Sequence, residues 1–147
     1  MSDAVKVILV GDDGSEGGAN AIAFAAVIAA PLGAEVVLVE AYSPLEQLGK
    51  AKPPVDFAAL KAQAQERLER ERAAVLRDHD VAHRVELIED PDAIGVLARA
   101  AKDIGADLVV VGSHGRTGWR KRILGDVATK LPHELDCPIT IVPAPKS

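Results

Sequence analysis

Four apolar runs of strand length punctuate the chain: "VKVILV" (5–10), "AEVVLVEAY" (34–42), "DLVVVG" (107–112) and "PITIVP" (138–143). Lys6 apart, the first is continuously apolar and rich in β-branched residues, and the others are similar. Runs without polar alternation predict strands covered on both faces, as in a parallel sheet. A fifth run, "AHRVELIE" (82–89), alternates and carries charge, which predicts a strand at a sheet edge.

Helix signals fill the gaps. "SEGGANAIAFAAVIAAPLG" (15–33) opens on Ser15 as N-cap and stops at Gly33, and Pro31 should end the helix slightly early. A second helix is predicted over 56–78, with Phe57, Leu60, Ala64, Leu68 and Val75 along one face. On it, Glu66 and Arg70 form a favourable i,i+4 pair, while Arg67 and Glu71 stand in the weaker reverse order. A third runs over 92–105, beginning at Asp92 after Pro91 and closing on Gly105. A fourth starts near Gly125 and reaches about His133. Strictly alternating strands and helices predict one doubly wound α/β domain over residues 1–147. The loop "SPLEQLGKAKPPV" (43–55) reads as an irregular surface connection, and the tail from Ala144 as similarly irregular.

Composition narrows the function. Apolar residues make up 48% of the 147, enough for an ordinary core. A net charge of -5 and only 3% aromatic residues argue against nucleic-acid binding, which needs a basic face or stacking platforms. The opening "MSDAVKVILVGDDG" lacks the pattern of a signal peptide, and no apolar run approaches the roughly 20 residues of a membrane helix. The single Cys137 excludes an internal disulfide and suits packing better than catalysis. These features together predict a soluble intracellular protein.

Ligands of open parallel sheets sit beyond the carboxyl ends of the strands, where strand order reverses. Two strand ends here are unusual: "GDDGSEGG" (11–18) and "GSHGRTG" (112–118). If their strands are neighbours, both loops open onto one crevice. Gly112, Gly115 and Gly118 allow backbone N–H groups to converge on an anion, and a helix from Gly125 adds its positive end. Arg116, Arg120, Lys121 and Arg122 add charge nearby. On spacing alone, a phosphate site and a tight strand-to-helix turn with solvated basic residues stand level. Other chemistries lack their motifs: there is no Walker A and no G-x-G-x-x-G, and Asp13 stands where a G-x-S-x-G would need glycine. His79, His83, His114 and His133 do not show the spacing of a metal site, and Trp119 could touch a base, a partner chain or its own loop.

Taken together, "VILVGDDGSEGG", "ADLVVVGSHGRTGWRKRILGD" and "CPITIVP" resemble the universal stress protein family in kind and order, over nearly the whole chain. The resemblance implies a Rossmann-like, five-stranded parallel sheet in the order 3-2-1-4-5. It further implies a cytoplasmic stress-response protein, often a homodimer through the last strand (138–143), and the composition adds the expectation of no nucleic-acid or membrane partner. Many members bind ATP and others do not. Gly112, Gly115 and Gly125 match the glycines of the family's G-x2-G-x9-G-[S/T] pattern. Asp13 falls on the position that contacts the nucleoside, and Ala41 on the one whose backbone meets adenine. Ser113, His114 and Arg116 fall in the phosphate loop, with backbone N–H groups of Ser113 and His114 available to phosphate, and Asp126 and Val127 in the first turn of the last helix.

Asp126 departs from that pattern, which asks for a hydroxyl donating to a terminal phosphate. An ionised carboxylate only accepts, and at about 4 Å it repels a like charge by about 4 kcal/mol at an effective dielectric of about 20. Three outcomes follow: the site is weakened, Asp126 takes the place of the phosphate at the helix start, or Mg²⁺ bridges carboxylate and phosphates. AMP or a cyclic nucleotide should suffer less than ATP. Two alternatives stand beside nucleotide binding: a dimeric interaction protein whose phosphate site Asp126 closes, and slow ATP hydrolysis with His114 or Asp13 positioning water. The last has no residue in a general-base setting.

Overall fold

The computed structural model describes residues 4–43, 56–114 and 124–143. Five strands form one parallel sheet: β1 (Val7–Gly11), β2 (Glu35–Tyr42), β3 (His83–Glu89), β4 (Leu108–Gly112) and β5 (Ile139–Val142), in the order β3-β2-β1-β4-β5. The order expected from the family resemblance is the order observed, with the charged strand at an edge. The register pairs Leu9 with Val37 on one side and with Val109 on the other.

Each central strand contributes to two cores, which is why its sequence shows no polar alternation. Ile8, Val10, Val36, Leu38 and Val110 face α1 (Glu16–Leu32), whose Ala21, Ile22, Ala25, Ala26 and Ala29 are buried against them. Leu9, Val37, Val39, Val109 and Val111 face the other way, toward Val96, Leu97, Ala100 and Ala101 of α4 (Ala93–Ile104). Alanine-rich helix faces let the helices lie close to strands crowded with valine and isoleucine. Cys137 packs at the margin of this second core, where burial pushes its thiol pKa up and keeps it protonated.

The predicted caps hold. Ser15 Oγ accepts from Gly18 N–H at 3.2 Å, and Asp92 Oδ1 from Gly95 N–H at 3.0 Å. Gly33 and Gly105 terminate their helices in the left-handed region, at φ 64° and 66°. Pro31 corrects an expectation: α1 continues through it to Leu32. Its ring deprives only the Val27 carbonyl of a partner, and Val27 lies on the exposed side, where water can replace the lost bond.

The predicted helix 56–78 exists but is not uniform. It comprises α2 (Phe57–Arg67), a π-helical turn (Leu68–Arg72) and α3 (Ala73–Asp78). The expected apolar face holds except at its start: Leu68 is buried and Leu60, Ala64 and Val75 are half-buried, but Phe57 is exposed and α2 buries no residue fully. Ala73 and Leu76, which the expected face did not include, are buried beside Leu68. The π turn inserts one residue per turn, which shifts the helical phase between Leu68 and Ala73. Glu66 and Arg70 do pair, at 3.3 Å. The last helical stretch is α5 (Asp126–Lys130), followed by a 3₁₀ turn (Leu131–Glu134). Among the described residues no helix is long and apolar enough to cross a membrane. The loop and tail expected to be irregular fall almost wholly on 44–55 and 144–147, outside the described residues.

At the amino end of the sheet, Asp107 ties β4 to β1: its Oδ2 accepts from Lys6 N–H at 2.9 Å and Val7 N–H at 3.0 Å. Those bonds hold its pKa below the ordinary carboxylate value. A folded-state pKa below the unfolded one contributes stability that is present above the unfolded value and lost as pH falls through the folded one. Urea melts at a series of pH values should therefore show the wild-type protein losing more stability than Asp107→Asn between about pH 5 and pH 2. Parallel curves for the two proteins would contradict this role.

Candidate functional site

β1 continues into Asp12–Ser15 and β4 into Ser113–His114, and the two strands are neighbours at the point where strand order reverses. The two unusual strand ends therefore share one end of the sheet, as a crevice requires.

Asp13 heads a tight turn. Its Oδ1 accepts from Ser15 N–H at 2.9 Å, and Gly14 follows at φ 81°. Ala41 is half-buried at the end of β2, packed against the α4-side core and paired in register with Ile88. Gly112 pairs in register with Val142 at the end of β4. A methyl on Gly112 would lie 2.7 Å from the Gly17 carbonyl oxygen, and one on Gly17 would strike the His114 carbonyl. The start of α1 is thus pressed directly onto the end of β4, and both residues must lack a side chain.

Ser113 is buried, and its N–H donates to the Val142 carbonyl at 2.8 Å. This corrects the expectation that its N–H faces phosphate, since the β4–β5 ladder extends one residue further and uses it. The Ser113 hydroxyl lies 2.7 Å from His114 Nδ1, and His114 Nε2 is buried without a hydrogen-bond partner among the described residues. Gly125 N–H donates to the Ser113 carbonyl at 2.8 Å, so the start of α5 is tied to the end of β4. Gly115, Arg116, Trp119 and the basic residues of that segment lie outside the described residues.

Gly125 is the N-cap of α5, without a side-chain cap. Asp126 and Val127 follow in the first turn, with N–H groups that no intrahelical carbonyl can accept. The Asp126 side chain is exposed and Val127 is half-buried. Among the described residues no cluster of three or more His, Cys, Asp or Glu side chains is placed to hold a metal.

Four charged residues near the crevice carry no motif and are not legible from spacing. Glu40 and Asp12 are buried at the carboxyl ends of β2 and β1. Arg67 Nη2 donates to both Glu40 oxygens, at 2.9 and 2.8 Å. Arg72 Nε approaches Asp12 Oδ2 at 3.3 Å, an ion contact without the alignment of a hydrogen bond, and its Nη2 donates to the Ser15 carbonyl at 2.9 Å. Asp12 Oδ1 accepts from Gly14 N–H at 3.0 Å. Burial raises the Asp12 pKa, and the Arg72 charge only partly offsets that. The available signal was Glu40 inside "VVLVEAY": a charge within a buried strand requires a partner.

Comparison with known proteins agrees with this layout. The universal stress protein family model matches residues 4–143. A universal stress protein of Mycobacterium tuberculosis is 34% identical over 136 residues, covering 91% of this chain and 44% of the relative, so the chain spans under half the length of that relative. One from Thermus aquaticus is 32% identical over 138 residues, covering 93% of this chain and 98% of the relative. Two solved structures share the fold. A universal stress protein in complex with cAMP superposes at TM-score 0.70 with 24% identity, covering 95% of this chain and 98% of that one. The Archaeoglobus fulgidus protein in complex with dAMP superposes at TM-score 0.66 with 18% identity, covering 96% and 99%. With its five strands in the expected order and the family model matched over residues 4–143, the chain belongs to the universal stress protein family.

Proposed function

We propose that this protein binds an adenine nucleotide across the carboxyl ends of β1 and β4 and acts as a cytoplasmic regulatory module whose occupancy alters a protein partner. The observation that carries the reading is the clasp between Ser113 and Gly125, at 2.8 Å, beside the turn of Asp13. It brings the start of α5 to the end of β4, next to the strand that bears Asp13. On this reading Asp13 and the Ala41 backbone meet the nucleoside, and His114, Gly115, Arg116, Asp126 and Val127 surround the phosphate. Ser113 contributes through its hydroxyl, and Gly112 and Gly125 through the close backbone approach they permit. The complexes of related folds with cAMP and dAMP support a ligand with one phosphate.

Asp126 selects for such a ligand. Its carboxylate is exposed, so water screens it and its repulsion of a further phosphate falls to about 1 kcal/mol, the value for a pair in bulk water. The site is then weakened toward ATP rather than closed, and Mg²⁺ bridging Asp126 to the phosphates would recover part of the loss. AMP or cAMP at 100 times its dissociation constant should raise the unfolding free energy by about 2.7 kcal/mol, a shift of several degrees in Tm. Asp126→Ser should bind ATP about fivefold more tightly and AMP unchanged. Thermal melts of both proteins with ATP, AMP and cAMP, with and without Mg²⁺, test this. If no nucleotide shifts the wild-type Tm, the reading fails.

Homodimerisation through β5 belongs to the same proposal. β5 is an edge strand whose four residues are all only half-buried in the single chain, so it offers an unpaired ladder to a second copy. Pro143 beyond it limits how far such pairing extends. Sedimentation equilibrium at micromolar concentration should give the mass of two chains, and a single-chain mass would remove this part.

A further inference from the structure

The two buried carboxylates and their half-buried arginine partners form a bracket around one side of the proposed nucleoside site. Arg67 immediately precedes the π turn of the helix Phe57–Asp78, and Arg72 is its last residue. In a regular α-helix, positions five apart point about 140° away from each other. The π turn closes its hydrogen bonds over five residues and brings both guanidinium groups to the same side, where they reach two different strands.

Their contacts converge on residues 12–15. Arg72 holds the Asp12 carboxylate and the Ser15 carbonyl, and a methyl on Gly14 would sit 3.4 Å from Arg67 Nη1. Asp12 is held a third time, by its own N–H donating to the Val39 carbonyl at 3.0 Å. Asp13 lies inside this bracket, immediately after Asp12. Glu40, which fixes Arg67, immediately precedes Ala41, whose side chain lies on the opposite face of the sheet. The same helix therefore grips, from behind, the two strand ends that present Asp13 and Ala41.

We propose that Arg67 and Arg72 are positioning residues that couple the helix Phe57–Asp78 to the nucleoside end of the crevice, so that helix docking and nucleotide binding stabilise one another. The inference rests on the nucleotide reading above. Linkage then requires reciprocity: whatever loosens the helix weakens the ligand, and the ligand tightens the helix by the same factor. The helix is the element through which a bound nucleotide changes a surface distant from itself, since α2 buries none of its residues.

Amide hydrogen exchange on the full chain, with and without cAMP, tests the coupling. Arg67→Gln is the first variant, because Arg67 is the more exposed of the two arginines. Asp12→Asn with Arg72→Gln, which removes both charges of the other pair, is the second. Without ligand, each should speed exchange of the amides in 12–18 about tenfold and leave β4 and β5 unchanged. In the wild type, cAMP should slow exchange across 68–76, a response that mere structural support would not give. Arg67→Gln should lose that response and bind cAMP about tenfold more weakly, and Arg67→Lys should restore part of both. A wild-type protein that binds cAMP with unaltered exchange in 68–76 overturns the coupling alone. Unaltered exchange in 12–18 in both variants overturns the positioning role. A wild-type protein that takes up no cAMP overturns the nucleotide reading, and the coupling with it.

Discussion

Replacing Arg72 by methionine should lower the unfolding free energy by about 3–5 kcal/mol and Tm by roughly 10–15 °C. The Asp12 side chain is 0% exposed and that of Arg72 only 14%, so water cannot replace the lost cation. What remains for the carboxylate is one bond from Gly14 N–H and the more distant charge of Arg67. The Ser15 carbonyl also loses its donor. Burial has already raised the Asp12 pKa, and losing Arg72 raises it further. A group whose folded pKa lies above its unfolded value contributes stability that is present below the unfolded pKa and lost as pH rises through the folded one. The deficit of Arg72→Met should therefore shrink as pH is lowered from 7 toward about 5. Adding Asp12→Asn should recover part of the loss at pH 7, because no buried charge is then left unpaired. Urea melts at the two pH values measure both effects. A loss under about 1 kcal/mol would show that the pair behaves like an ordinary surface ion pair.

Gly112→Ala should cost about 2–3 kcal/mol and remove nucleotide-induced stabilisation altogether. The new methyl would stand 2.7 Å from the Gly17 carbonyl oxygen, 2.8 Å from its carbon and 3.1 Å from its Cα. All three are backbone atoms, so no rotamer change relieves the clash. Relief requires α1 to move off β4, and Ser15 with the Asp13 turn moves with it. The Ser113–Gly125 clasp begins one residue beyond the substitution, so the phosphate side is displaced as well. Denaturant unfolding gives the first number, and Tm with and without AMP gives the second. A variant of wild-type stability that still responds to AMP would show that the approach of α1 to β4 is not needed.

Much of this molecule is written locally. An unalternating apolar run such as "DLVVVG" declares a strand with two covered faces, because each successive residue points to the opposite side. Ser15, Asp92, Gly33 and Gly105 mark helix ends through bonds that reach only three or four residues along the chain. Glu66 and Arg70 pair because one helical turn separates them. Pro31 misled because the cost of proline depends on whether the carbonyl it orphans faces water, which composition does not reveal. Phe57 misled because periodicity gives the direction of an apolar face but not how far along the helix that face stays covered, and the first stretch of this helix buries none of its residues.

The candidate site divides in the same way. Its glycines, Asp13 and the departure at Asp126 were visible as motif and exception. That Ser113 gives its N–H to Val142 depends on how far the β4–β5 ladder extends. The partners of Glu40 and Asp12 lie far away in sequence, with Arg67 27 residues beyond Glu40. By itself, then, the sequence determined the strands, the capped helices and the family, all through short-range periodicity and a recognisable order of motifs. Only the tertiary structure decided which arginines meet which buried carboxylates and how tightly α1 presses on β4. Those contacts join residues that chain direction does not relate, and packing selects them because an unpaired charge or a misplaced methyl in a dry interior is too costly to keep.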